Sequence, residues 1–104
     1  MIIVNTENIA GKEIVEMLGI VRGNTIRARH AGHDFVAGLQ QVVGGELKGY
    51  TKMITETRDE ATKRMIENAQ EMGADAIVNV RYASSDVMAG AAEILAYGTA
   101  VKIK

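Results

Sequence analysis

The densest group of chemistry-bearing side chains is Arg29-His30-Ala31-Gly32-His33-Asp34, in which two imidazoles and a carboxylate fall within five consecutive positions. Neutral imidazole suits zinc, copper and nickel, and a carboxylate completes a nitrogen–oxygen donor set. His30, His33 and Asp34 are therefore the candidate metal ligands, for a divalent transition metal with an open coordination position. The spacing matches no strong zinc signature, and Gly32 leaves the local geometry open. The alternative for the same residues is a pair of surface histidines beside a helix start. Six methionines add soft thioether sulfur, but Met53, Met65 and Met72 fit helix packing better than metal binding.

Other chemistry is thinly represented. The chain has no cysteine, which excludes disulfides, thiolate metal sites and thiol catalysis. Ala10-Gly11-Lys12-Glu13 lacks the first glycine and the hydroxyl of a phosphate-binding loop. Gly44-Gly45-Glu46-Leu47 opens a helix and could offer amides to an anion, although an ordinary turn explains it as well. Ser84-Ser85-Asp86 supplies hydroxyls without an evident base. Glu56, Asp59, Glu60 and Glu67 read as the solvated face of a helix. No catalytic residue is assigned, and the balance leans away from an enzyme.

The elements that must position these residues follow from composition and periodicity. The 104 residues, 47% hydrophobic and only 4% aromatic, fit one domain over 1–104 with an aliphatic core. A net charge of -1 gives no long-range attraction to nucleic acid or to an acidic membrane. No segment reaches the length of a membrane span. With no cysteine and no leader pattern, the expected location is the cytoplasm.

Residues 2–4 are a short β-prone piece. Residues 13–22 are read as a strand, because β-branched residues dominate and Gly19 disfavours helix. Gly23-Asn24 suggests a bend, after which Thr25 to Arg29 resumes an extended pattern. A short helix is expected from Asp34 to Val43, ended by Gly44-Gly45. The clearest element is a helix from Leu47 to Met72. Its apolar face runs through Leu47, Tyr50, Ile54, Thr57, Ala61, Met65, Ala69 and Met72, and Gly73 stops it. Ile66 lies off that stripe, either as an isolated exposed residue or as a contact with a neighbouring subunit. Asp75 to Tyr82 and Glu93 to Lys104 are strands, and the small residues of Ala83 to Ala92 suggest a mobile connection between them.

The last strand is apolar on both faces. Leu95, Tyr97, Thr99, Val101 and Ile103 alternate with Ile94, Ala96, Gly98 and Ala100. A single helix layer covers one face of a sheet, so a second copy of the chain is the simplest cover for the other. The expected architecture is α+β in two layers: an antiparallel sheet packed on one long helix, with an additional short helix.

The ordered set of segments resembles a known family. Leu18-Gly19-Ile20-Val21-Arg22-Gly23, then Asp34 with Ala37-Gly38, then Gly44-Gly45-Glu46 and Tyr50 match its first half. Gly73 to Arg81 and Ala96-Tyr97-Gly98-Thr99-Ala100-Val101 match its second half. The chain is similar over nearly its whole length to the YbjQ-like family, labelled "putative heavy-metal-binding". The resemblance implies a dodecin-subunit-like fold of strand, helix and two strands. It also implies a homopentameric ring in which extra short strands join the subunits. The function expected is an oligomeric binding or assembly protein that takes a metal ion. A small-ligand or anion-binding module, or an enzyme with its site between subunits, is the alternative.

Overall fold

A computed structural model describes residues 1–28, 48–88 and 91–104. The expected short helix from Asp34 to Val43 and the Gly44-Gly45 turn lie outside the described residues. The described elements are β1 (Ile2–Ile3), β2 (Ile14–Ala28), α1 (Lys48–Glu71), β3 (Ala76–Met88) and β4 (Ala91–Ile103). They form a four-stranded sheet of order β1-β3-β4-β2. β4 runs antiparallel to both β2 and β3, whereas β1 pairs in parallel with β3 at Ala76 and Ile77. The sheet is thus mixed, not wholly antiparallel as its longer strands suggest.

The long helix follows its apolar stripe. Thr57, Ala61, Met65 and Ala69 are buried, while Lys52, Glu56, Asp59, Lys63, Glu67 and Gln70 are exposed. Gly73 ends the helix with φ +79°. The Ala74 N–H donates to Ala69 O and the Gly73 N–H to Gln70 O, the paired bonds of a Schellman cap that only a left-handed residue permits. Ile66 is half-buried against the main core cluster. It is therefore not an isolated exposed residue, as one of the two sequence readings had it.

Two further expectations are corrected. β2 continues through Gly23-Asn24 without a bend, paired with β4 from Ile14 to Ala28. The glycine is needed for contact, not for a turn. A Cβ on Gly23 would collide with Ala61 O and Met65 N, the backbone of α1 where it crosses the strand. The expected mobile segment Ala83 to Ala92 is also mostly strand. Ala83 to Asp86 pair with Leu95 to Ala92, and Met88 pairs with Ala91, so β3 and β4 stay paired along this segment.

β3 carries a bulge at Asn79, whose φ is 54°. The register shifts there between Val78 and Arg81. Gly98 lies opposite the extra residue, where a Cβ would stand 2.7 Å from Ile77 Cγ2 and 2.9 Å from Val78 O. The bulge re-aims the strand. Val80 then packs into the helix-side core, while Arg81 shares a rung with Tyr97 on the other face.

α1 lies chiefly across β2 and β4 and barely touches β3. Among the described residues, no helix is long and apolar enough to cross a membrane.

Candidate functional site

His30, His33 and Asp34 lie outside the described residues, so the structure places none of the three. Among the described residues, no group of three or more His, Cys, Asp or Glu side chains could hold a metal ion. Both histidines of the sequence fall in the segment 29–47 and there is no cysteine. An imidazole-based metal site in this chain would therefore have to use that segment.

Two surfaces of the described residues carry concentrated chemistry. The first is the sheet face turned away from α1. Cross-strand pairing sets Ile20 beside Thr99, Arg22 beside Tyr97, Asn24 beside Leu95 and Ile26 beside Glu93. The N-terminal segment closes one end of this face, where Val4, Ile9, Ile14 and Ile103 pack against buried Ala76, Val78 and Val101. Part of the cover that the last strand requires is therefore supplied by the chain's own first residues. Beyond that cluster the face is open: Ile20 is 69% exposed, Ile26 56% and Tyr97 37%.

Arg22 and Arg81 flank Tyr97 on the same rung. The Arg81 guanidinium donates to Asn5 O at 2.9 Å and to Val80 O at 3.1 Å. It ties the N-terminal segment to the sheet. At the far end Asn24 Nδ2 donates to Glu93 Oε2 at 3.3 Å.

The second surface is a cleft of about 460 Å³ between α1 and the part of β3 that the helix leaves uncovered. Ile54 and Arg58 form its helix wall, Tyr82, Ser84 and Asp86 line its strand side, and Ala92 and Ile94 form an apolar floor. Ser84 and Asp86, which look like loop residues in sequence, stand here on a regular strand. The sequence reading passes over Arg58 and Tyr82. The signal for Tyr82 was its phase in the strand, two residues before Ser84. Nothing in the spacing of Arg58 set it apart from other exposed helix residues.

β2 and β3 also differ at their edges. On β2, the terminal strand, the Arg22 N–H donates to Asn68 Oδ1 at 3.1 Å and Asn24 O accepts from Arg64 Nη1 at 2.7 Å. Side chains of α1 thereby occupy backbone groups that an incoming strand would use. On β3, the N-terminal segment bonds Asn79 and Val80 through Thr6 O and Val4 O. From Tyr82 to Met88, no strand among the described residues pairs with the edge opposite β4.

The fold and these two surfaces define a small α+β protein, with one helix laid across part of a four-stranded mixed sheet. The profile of the YbjQ family, described as "Putative heavy-metal-binding", matches residues 1–104. The chain belongs to that family. A UPF0145 protein of Methanosarcina acetivorans is 63% identical over 103 residues, covering 99% of this chain and 97% of the relative. A UPF0145 protein of Thermosipho africanus is 61% identical over 104 residues, covering 100% and 96%. Among solved structures, a DUF74-family protein of unknown function from Pediococcus pentosaceus superposes with a TM-score of 0.67. It is 18% identical, with 100% of this chain and 98% of that chain covered. At that identity the likeness is one of fold.

Proposed function

We propose that this protein is a homo-oligomeric binding protein whose subunits meet across the open sheet face, in a pentameric ring of dodecin-like subunits. The observation that carries the reading is the strip Ile20, Ile26, Leu95 and Tyr97. Ile20, Ile26 and Tyr97 are exposed there and Leu95 half-buried, interleaved with Arg22, Asn24 and Glu93, on strands that the chain's own N-terminal segment covers at one end only. Large exposed apolar side chains set among an arginine, an asparagine and a glutamate have the mixed composition of an association surface. The unpaired β3 edge from Tyr82 to Met88 offers a second place for a short strand of a neighbouring copy.

The ring would bring symmetry copies of His30, His33 and Asp34 around one axis, and a divalent metal ion is the ligand proposed there. The absence of cysteine suits a reducing compartment, and the proposed location is the cytoplasm. No nucleic-acid or membrane partner is proposed.

Light scattering on the full chain at micromolar concentration tests the assembly. A mass several times the 11.2 kDa chain is expected, and a single-chain mass would sink the reading. Calorimetric titration of zinc, copper and nickel tests the metal site separately. Binding should be lost in the doubly substituted His30→Ala, His33→Ala protein, and unchanged binding would remove both histidines from the site.

A further inference from the structure

The cleft between α1 and β3 holds polar groups in a fixed arrangement within one subunit. α1 enters the sheet layer through the turn at Gly73 and so runs antiparallel to β3. Thr62 on the helix meets Tyr82 on the strand, with 2.8 Å between Thr62 Oγ1 and Tyr82 Oη. One helical turn back from Thr62 is Arg58, and one more is Ile54. Two residues on from Tyr82 is Ser84, and two more is Asp86. Four helix residues rise about 6 Å and two strand residues advance about 6.6 Å, so the two elements step outward at similar intervals. Beyond that contact Arg58 and Ile54 of the helix and Ser84 and Asp86 of the strand all line the cleft.

The direction of the hydrogen bonds at the inner end is fixed. The Thr62 hydroxyl donates its one proton to Arg58 O at 2.8 Å, so in the Thr62–Tyr82 bond the tyrosine must be the donor. Tyr82 Oη is left as an acceptor on the cleft. The Arg58 guanidinium has no carboxylate partner among the described residues, unlike Arg64, which pairs with Glu60 at 3.2 Å. Asp86 likewise has no cationic partner among the described residues. Arg58 and Asp86 thus line one cleft with opposite charges, and no ion pair joins them. Between them lie only hydroxyls and the apolar floor of Ala92 and Ile94.

We propose that this cleft binds a small zwitterion, whose carboxylate pairs with Arg58 and Ser84 and whose ammonium group pairs with Asp86. The class is an ω-amino acid or a dipeptide, whose two charges are separated by a short chain that lies on the floor. A plain anion would leave Asp86 facing it, and a plain cation would leave Arg58 unanswered. The site is contained in one chain, so it does not depend on the assembly proposed above.

The test is calorimetric titration of the full chain with 4-aminobutyrate, butyrate and butylamine, with oligomeric mass followed in the same samples. 4-Aminobutyrate should bind about tenfold more tightly than either singly charged analogue, the worth of one charge-assisted hydrogen bond. Arg58→Ala and Asp86→Asn should each remove that preference. Amide resonances of Ser84 and Ser85 should shift in the unsubstituted protein, which needs no variant to fold. Equal affinity for the three compounds, no binding of 4-aminobutyrate, or a preference that survives Asp86→Asn would overturn the proposal.

Discussion

The two faces of this sheet are built on opposite plans. On the helix side the strands carry Val21, Gly23, Ala96, Gly98 and Ala100, small enough for α1 to press its backbone against β2. On the other side the side chains are larger and more varied, and only the N-terminal segment covers them, at one end. At Gly23 and Gly98 close packing comes from the absence of a side chain, so those positions tolerate almost no addition. The second face has room. The first face specifies the subunit, and under the assembly proposed above the second is where a further copy docks.

The sharpest way to break this contrast is to enlarge the closed face. Gly23→Val would drive a side chain into helix backbone, which cannot yield as a flexible side chain can. A loss of more than about 3 kcal/mol is expected in urea unfolding. A stability near that of the unsubstituted protein would mean that α1 does not cross β2 where the structure puts it. Gly98→Ala is next. Its new methyl would meet Ile77 and the bulged backbone of β3, at a cost of about 1–3 kcal/mol. Asn68→Ala should cost less, about 0.5–1.5 kcal/mol, by releasing the Arg22 N–H at the strand edge. Its amide should then exchange with solvent faster, which hydrogen exchange reads directly.

The same contrast explains what could be read from the residues alone. The helix from Leu47 to Met72 was legible almost to its ends because one face is buried and the other solvated, which writes a 3.6-residue period into the sequence. The stop at Gly73 was legible for a related reason, since its left-handed φ leaves glycine as the natural choice. Gly23 was misleading, because a glycine retained for close approach is indistinguishable in sequence from one retained for a turn. The outer half of β3 was missed for want of burial. Tyr82 to Asp86 are exposed, so Ala83-Ser84-Ser85-Asp86 carries no alternation to mark a strand. The second face of β4 does carry apolar residues, but part of its cover is the chain's own first nine residues, which local periodicity cannot reveal. The cleft was illegible because it depends on where α1 fails to cover β3, a property of packing alone.

The open face bears the central claim, and substitutions there should leave the subunit fold intact while changing assembly. Surface changes away from packed features cost within about 0.5 kcal/mol. The most direct measurement is sedimentation equilibrium of the unsubstituted chain beside the doubly substituted Ile20→Lys, Ile26→Lys protein, with far-UV circular dichroism confirming the fold of both. The account predicts a multiple of 11.2 kDa for the first and a folded species of 11.2 kDa for the second. Equal masses for the two proteins, whether single chains or assemblies, would contradict it.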